Sequence, residues 1–349
     1  MLAVFRLGDG LLDVLVEGVF LGLARAEDNV SRLDARAQTC PFSEGWAARV
    51  DFAEANSWGW VSGEIVDMED LVLHDAQMDA RLPDQALRAT YGVVRARRKA
   101  RGAGGELQTV GGAAWLAGYR SDPPLAAPPA SDPPVQPRDD AAETRDLVGE
   151  LVHQIRALGR GETADPLEAV EEWIDWARRL PDRAPALLRA AAVLEGWRLV
   201  NPLPRQGYVG GVMAAQELRL SGRTRSCLLG VEAARRMHMQ PPRGFMAAPT
   251  AVRLAYWLKI LAVGAEAGLA EIKRLELARQ VVLKRIGGRR AHDRSSELLD
   301  LLLARPLVSA SMAAEHLDIA GHSARRLLSG LGSSLMEVSG RSRYRAWRL

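Results

Sequence analysis

The chain has 349 residues with a formal net charge of +3, and 48% of them are hydrophobic and 26% are charged. This composition is ordinary for a globular protein of two or three domains. The two cysteines, Cys40 and Cys227, lie far apart, which indicates neither a disulfide framework nor a zinc site and fits a reducing cytosol. Asp13 and Glu17 interrupt the apolar run at residues 11–23, so this run predicts neither a signal peptide nor a membrane span. We therefore expect a cytoplasmic protein without a membrane partner.

The first part of the chain has the apolar spacing of helices. Residues 11–26 and residues 57–79 repeat apolar side chains at helical intervals, and the glycine-rich stretch at 102–105 ends a helix. Residues 121–140 contain seven prolines among alanine, serine and aspartate, a composition that predicts an extended linker. The predicted organisation is a helical region at 1–120, this linker at 121–140, a helical domain at 141–290 and a winged helix domain at 291–349.

Helical patterns continue after the linker, and strand signals are almost absent before residue 335. The predicted helices cover residues 141–160, 167–179, 185–200, 212–220, 228–239, 250–267 and 270–286. The fold class is therefore mainly α. The signatures of P-loops, dinucleotide-binding folds, zinc proteases and serine hydrolases are missing, and the six histidines have no ligand spacing. We expect no catalytic residue, no metal and no cofactor.

One loop between predicted helices, residues 201–211, is rich in glycine. A glycine-rich loop that enters a helix N-terminus can hold an anion on its backbone N–H groups. The alternative is a tight connection between two helices. The candidate anion-binding residues are Asn201, Gly207, Gly210 and Gly211.

The C-terminal stretch, residues 296–349, has the pattern of three short helices followed by a β-hairpin. Pro306 ends the first helix, and Ser309 can cap the second. Ala324, Leu327, Leu328 and Leu331 lie on the inward stripe of the third. Two short strands are predicted at 335–338 and 344–348, so the pattern indicates a winged helix-turn-helix. In such a motif the third helix enters the major groove and the wing contacts the DNA backbone. The candidate DNA-binding residues are Ser323, Arg325, Arg326 and Ser329 in the helix and Arg341, Arg343 and Arg345 in the wing.

The charge of the chain is concentrated in this stretch. Residues 285–349 contain eleven arginines and six acidic residues, whereas the rest of the chain is slightly acidic. A basic module of this kind is the electrostatic footprint that phosphate binding requires. The alternative is an adaptor whose winged helix binds only protein.

The loop at 201–211 and its helix resemble a decayed form of the motif of the Fic family, in which a histidine is the base, an acid binds the metal, and glycines and an arginine hold phosphate. Pro202 matches that motif. The base position holds Asn201 and the acid position holds Arg205, while Gln206 and Val209 replace a glycine and the arginine.

Residues 54–73 are similar to the self-inhibitory segment of the same family, with Ser62 at the position of the inhibitory glutamate and Gly63 retained. The tail resembles the winged helix that often ends Fic proteins. The closer resemblance is to a bacterial, often plasmid-borne family of unassigned function that ends in a helix-turn-helix. These resemblances imply a Fic-like helical body that has lost Fic chemistry.

The sequence therefore predicts a cytoplasmic, sequence-specific transcriptional regulator that is not an enzyme and binds double-stranded DNA as a homodimer. The helix at residues 270–286 is the predicted dimer surface, because its apolar residues spread over more than one face. The alternatives are a divergent Fic-type nucleotidyl (AMP) transferase, which would need a base and a metal-binding acid beside the loop, and the protein-interaction adaptor.

Overall fold

The structure, a computed structural model, describes residues 2–79, 81–120, 122–124, 141–158, 165–238, 244–286, 294–338 and 345–349. The side chains of residues 2–16, 141–144 and 333 are outside this description. The fold of these residues is mainly α, as predicted. The helices are α1 (Leu2–Thr39), α2 (Ser43–Ser62), α3 (Met68–Asp75), α4 (Gln85–Gly102), α5 (Val110–Ala117), α6 (Ala141–Ala157), α7 (Pro166–Arg178), α8 (Ala186–Val200), α9 (Tyr208–Leu220), α10 (Glu232–Met237), α11 (Thr250–Ile286), α12 (Ser295–Ala304), α13 (Ala310–Leu317) and α14 (Gly321–Gly330).

The chain divides into two compact units, and each is discontinuous in sequence. Unit 1 comprises Met1–Ala35 and Arg95–Glu266, and unit 2 comprises Arg36–Val94 and Ala267–Leu349. These units follow long-range contacts, whereas the domain boundaries were predicted from composition and stay a prediction. Apart from residues 122–124, the predicted linker at 121–140 lies outside the described residues.

In unit 1, helices α8 and α9 pack against each other, and their close approach depends on glycine. A Cβ atom at Gly210 would lie 2.3 Å from the Trp197 ring, and one at Gly196 would lie 2.4 Å from the Trp176 ring. The Trp197 ring also meets Trp173 edge to face, with 4.9 Å between ring centroids, a favourable arrangement of aromatic quadrupoles. Glycine at these two positions therefore lets helices pack directly against indole rings.

A buried carboxylate ties α8 to α11 in unit 1. Glu195 has no exposed surface and accepts hydrogen bonds from Arg198 Nη2 (2.6 Å), Arg253 Nε (2.5 Å) and Trp257 Nε1 (2.9 Å). Burial alone would raise the pKa of Glu195, but these donors outweigh it and lower the pKa below its ordinary value. A buried charge with this many donors is stabilised as the carboxylate.

Two helix predictions differ from the structure. The helices predicted at 250–267 and 270–286 are one helix, α11. The glycine between them, Gly268, does not break it, because one glycine in a helix costs only about 1 kcal/mol relative to alanine. Buried residues continue on both sides of this glycine. The helix predicted at 57–79 is instead divided between α2 and α3. Gly63, with φ of 84°, ends α2, and a left-handed glycine is a common helix stop. Among the described helices, none combines the length and apolarity needed to cross a bilayer.

Candidate nucleic-acid interface

The C-terminal residues 295–349 form three helices and a small sheet, which we call the C-terminal domain. Three short strands, β1 (Val308–Ser309), β2 (Met336–Glu337) and β3 (Ala346–Arg348), pair in the order β1–β3–β2. Both pairings are antiparallel, with Val308 opposite Trp347 and Met336 opposite Arg348. Three helices with a hairpin on β1 are the arrangement of a winged helix, as the sequence predicts.

Local chemistry sets the angle between α13 and α14. The Ser309 hydroxyl accepts a hydrogen bond from Met312 N at 3.1 Å and caps α13, as predicted. Asp318 ends the helix in the left-handed region, with φ of 48°, and Ile319 N donates to Ala314 O at 3.0 Å. A left-handed residue followed by this backbone bond closes a helix sharply, so α14 starts only four residues after α13 ends.

The third helix, α14, divides cleanly between a buried and an exposed face. Ala324 and Leu328 are buried against the domain core, together with Leu331 just beyond the helix. Arg325, Arg326 and Ser329 are exposed and Ser323 is half-buried. Of the predicted stripe, Leu327 is only half-buried. The other members are buried, which leaves Arg325, Arg326 and Ser329 on the outside.

The two arginines of α14 have no partner among the described residues. Within the described residues, neither Arg325 nor Arg326 makes a hydrogen bond or an ion pair, and α14 contains no acidic residue. Two solvated guanidinium groups on an acid-free helix face can approach guanine edges or phosphates without first breaking an internal contact.

One of the three candidate arginines of the wing, Arg345, lies within the described residues and forms an ion pair. Arg345 donates from Nε to Glu337 Oε1 at 2.6 Å and pairs through Nη2 with the other carboxylate oxygen. It also lies 5.5 Å from the centroid of the Trp347 ring, while the pKa of Glu337 is lowered by the hydrogen bond from Arg345. Arg345 therefore forms a bidentate pair with Glu337 at the surface, and its contact with the DNA backbone stays a prediction. Arg341 and Arg343 lie outside the described residues.

Sequence reasoning missed one exposed residue beside the predicted set. His322 is exposed in the first turn of α14, and its Nε2 lies 3.3 Å from the Ser323 hydroxyl. The signal that could have identified it is its position, since the N-terminal residues of this helix contact base edges in helix-turn-helix motifs.

A buried arginine from α2 supports the C-terminal domain within unit 2. Arg49, which is 8% exposed, donates to Leu302 O at 3.2 Å and to Arg305 O, both at the C-terminal end of α12. Its Nε donates to Glu271 Oε1 at 3.2 Å. Helix C-termini leave carbonyl oxygens unpaired and favour positive charge. Arg49 therefore satisfies the end of α12 and fixes α2 against it.

Two further contacts hold the same domain. Arg274 of α11 pairs with Glu271 at 2.7 Å and donates to Leu349 O at 2.8 Å, and Arg305 pairs with the buried Asp75 of α3. A Cβ atom at Gly45 would lie 3.0 Å from Ala304 Cα, so α2 crosses α12 closely. The C-terminal domain thus packs on the other helices of unit 2.

The glycine-rich loop is shorter than predicted, because α9 already begins at Tyr208. Gly210 and Gly211 are buried in the first turn of this helix. Gly210 packs against Trp197, and a Cβ atom at Gly211 would lie 3.1 Å from the Glu232 carboxylate. A packed indole and a carboxylate at these positions disfavour an anion, so these two glycines serve helix packing. Asn201, in the left-handed region with φ of 48°, and Gly207 remain in the loop.

Comparison with known proteins finds two matching families, one in the middle of the chain and one at the C-terminal domain. Residues 162–287 match the family described as "Protein of unknown function (DUF1612)", and residues 296–349 match the family described as "HTH DNA binding domain". The "Uncharacterized protein y4cF" of Sinorhizobium fredii is 31% identical over 364 residues, covering 91% of this chain and 93% of that protein. The chain belongs to the DUF1612 family. A DUF1612 body followed by a helix-turn-helix DNA-binding domain confirms the predicted resemblance to a family of unassigned function with a C-terminal helix-turn-helix.

Proposed function

We propose that this DUF1612 protein is a cytoplasmic transcriptional regulator that reads double-stranded DNA sequence through α14. The observation that carries the proposal is the pair Arg325 and Arg326, exposed and without partners in the described residues. Arginine is the side chain that binds guanine most often, through two parallel hydrogen bonds to O6 and N7. Ser323 and Ser329 flank the pair and supply hydroxyl groups for neighbouring bases or phosphates.

The test begins by selecting bound sequences from random double-stranded DNA and then measures affinities by fluorescence anisotropy. Each of Arg325→Ala and Arg326→Ala is expected to weaken binding to the selected site by about 1–3 kcal/mol, because a bidentate pair to a base is lost. Both variants should also relax the preference for that site over unrelated DNA.

The matched control is Arg32→Ala, since Arg32 is an equally exposed arginine in α1 whose pair with Asp28 lies on the surface. It should bind as the unaltered protein does. Equal affinity of the unaltered protein and both α14 variants for the selected site would remove the basis of the proposal. Arg341→Ala should instead weaken binding to all sequences alike and reduce the salt dependence, as loss of a phosphate contact does.

We also propose that the protein binds as a homodimer through the C-terminal half of α11. Leu277 and Val281 are each 55% exposed, four residues apart on one face, whereas Leu275 and Val282 are fully buried. The apolar residues of this helix are therefore divided between its own core and the surface. A second copy is the favoured occupant because a single module of this size buries only about 600–1,000 Å² on DNA, and two copies multiply specificity.

Sedimentation equilibrium tests the dimer. Leu277→Asp should shift a dimer of the unaltered protein to monomer, since it places a charge in an apolar contact. Leu220→Asp is the control, because Leu220 is also an exposed leucine of a helix but belongs to α9 and not to α11. A monomeric unaltered protein that binds one asymmetric site with full affinity would end this part of the proposal.

We propose that the helical domain predicted at residues 141–290 is Fic-like but lacks Fic chemistry. What supports it is the succession of α8, a loop and α9 at the resembling motif, with Asn201 where a base is required and Arg205 where a metal-binding acid is required. Val209, at the position of the phosphate-binding arginine, is fully buried. A neutral amide takes no proton at neutral pH, and a cation next to it repels Mg²⁺.

A further inference from the structure

In unit 2, the last turn of α11 lies against the end of the proposed reading helix α14. Arg285 is exposed in that turn, and Gly332 is exposed just beyond α14, in the left-handed region with φ of 49°. A Cβ atom at Gly332 would lie 2.5 Å from Arg285 Nη2 and 3.0 Å from its Cζ. The guanidinium group therefore lies directly on the glycine backbone, in space that a side chain would otherwise fill.

This contact places a positive charge of α11 close to the side chains that are proposed to read bases. Gly332 follows Arg326 in the chain by a separation of about 9 Å along the helix axis, at roughly 1.5 Å per residue. Successive base pairs of DNA are about 3.4 Å apart. The Arg285 guanidinium is therefore within about three base pairs of the base that Arg326 would contact.

Both segments that meet at this contact carry cations and no acidic residue. Residues 277–286 of α11 contain three cationic side chains and no Asp or Glu, and residues 321–335 contain two arginines and no Asp or Glu. Glu337, the first acidic residue after them, pairs with Arg345. Two neighbouring segments with only positive charge attract phosphate groups. The ligand chemistry that fits this end of α11 is therefore a polyanion such as the DNA backbone.

We propose that Arg285 forms a second DNA contact, in which its guanidinium binds a backbone phosphate beside the bases read by α14. This inference rests on the proposed DNA reading, and it extends the DNA interface from the C-terminal domain into the DUF1612 match, which covers residues 162–287. A guanidinium can donate two parallel hydrogen bonds to one phosphate. Such a contact fixes the register of the protein on the duplex but carries no sequence information.

The test uses the full chain and a duplex with the selected site, in which single phosphates are replaced in turn by uncharged methylphosphonates. Affinities are measured by fluorescence anisotropy. At one position, within about three base pairs of the base assigned to Arg326, the replacement should weaken binding of the unaltered protein about two- to fivefold, the range of an exposed ion pair. In Arg285→Gln the same replacement should have no effect, because the charge that faces this phosphate is gone.

Two further measurements separate a phosphate contact from a structural role of Arg285. Arg285→Gln should reduce the slope of affinity against salt by about one and leave the preference for the selected site over unrelated DNA unchanged. Arg285→Lys, which keeps the charge, should retain both the slope and the sensitivity to the methylphosphonate. The matched control is Lys273→Gln, since Lys273 is an exposed cation of the same helix about 18 Å from Arg285 along the axis, beyond the screening length of about 10 Å at 0.1 M salt. This control should bind as the unaltered protein does.

A scan in which Arg285→Gln keeps every methylphosphonate effect of the unaltered protein would overturn the inference, and so would an unchanged salt slope. If Arg285 served only to close the end of α14, Arg285→Gln would weaken binding while every phosphate kept its effect, which is the first of these results. Both results leave the proposed function standing, because Arg325→Ala and Arg326→Ala still report base reading. Absence of any specific DNA binding by the unaltered protein would overturn the proposed function together with this inference.

Discussion

Replacing Arg49 by methionine tests how the C-terminal domain is held. Methionine keeps much of the apolar volume of the arginine stem and removes every donor. In the structure those donors serve three acceptors, Leu302 O, Arg305 O and the Glu271 carboxylate. The residue is buried, and burial lowers the pKa of its guanidinium while Glu271 opposes that effect.

The size of the expected stability loss depends on which hydrogen bonds the three acceptors retain in the variant. Glu271 retains two hydrogen bonds from Arg274, at 2.7 and 2.8 Å, so it loses only one of its hydrogen-bond donors. The two carbonyl oxygens at the end of α12 lose a charged donor, and a hydrogen bond to a charged group contributes about 1.5–3 kcal/mol. Removing one partner of a buried ionic contact typically costs about 3–5 kcal/mol. We expect the free energy of unfolding to fall by about 3–5 kcal/mol, a large part of the roughly 5–15 kcal/mol that stabilises a domain.

Urea unfolding followed by circular dichroism measures this change, and Arg32→Met serves as the control because surface substitutions usually stay within about 0.5 kcal/mol. Arg49→Lys should recover only part of the loss, since one ammonium group cannot serve acceptors on different sides as a guanidinium does. A loss below about 1 kcal/mol in Arg49→Met, with an unchanged slope against urea, would refute the reasoning that Arg49 fixes α12.

Three further predictions concern other parts of the chain. Incubation with labelled ATP and Mg²⁺ should transfer no AMP, because Asn201 is not a base; label that disappears in Asn201→Ala would contradict this. Ser309→Ala should destabilise the C-terminal domain by about 1 kcal/mol through loss of its cap, whereas Ser311→Ala, at an exposed position of α13, should have little effect in the same urea assay. Burial raises the pKa of the Cys227 thiol from 9.0 to about 12. The stability that this buried neutral thiol contributes is therefore complete below pH 9 and is lost as the pH rises towards 12. Iodoacetamide should label Cys227 only after unfolding, and equal labelling rates in the native and the unfolded protein would contradict this.

Much of the C-terminal domain could be predicted from the sequence because its determinants are local. The cap at Ser309 and the stripe of α14 lie within a few residues of the structure that they specify. Strand β1 could not be predicted in the same way. It has two residues, and its partners Ala346 and Trp347 lie almost forty positions later.

Other contacts could not be predicted because their partners are remote in sequence. The acceptors of Arg49 lie 253 and 256 residues away in the chain, so nothing near Arg49 predicts a buried position. The glycines of α9 have the composition of an anion-binding loop, and only Trp197 and Glu232 reveal that they serve close packing. Likewise, the pairing of Arg345 with Glu337 depends on the register of the hairpin.

The discontinuous composition of unit 2 has a consequence for synthesis on the ribosome. Its first segment ends at Val94 and its second begins at Ala267, so 172 residues are translated between them. At roughly 5–20 residues per second, α2 and α3 are complete for about 11–44 seconds before the ribosome reaches α12, because residues 76–294 lie between α3 and α12. Unit 2 can be completed only after the last strand has left the exit tunnel, and a chain truncated upstream of that strand lacks part of the sheet of the C-terminal domain.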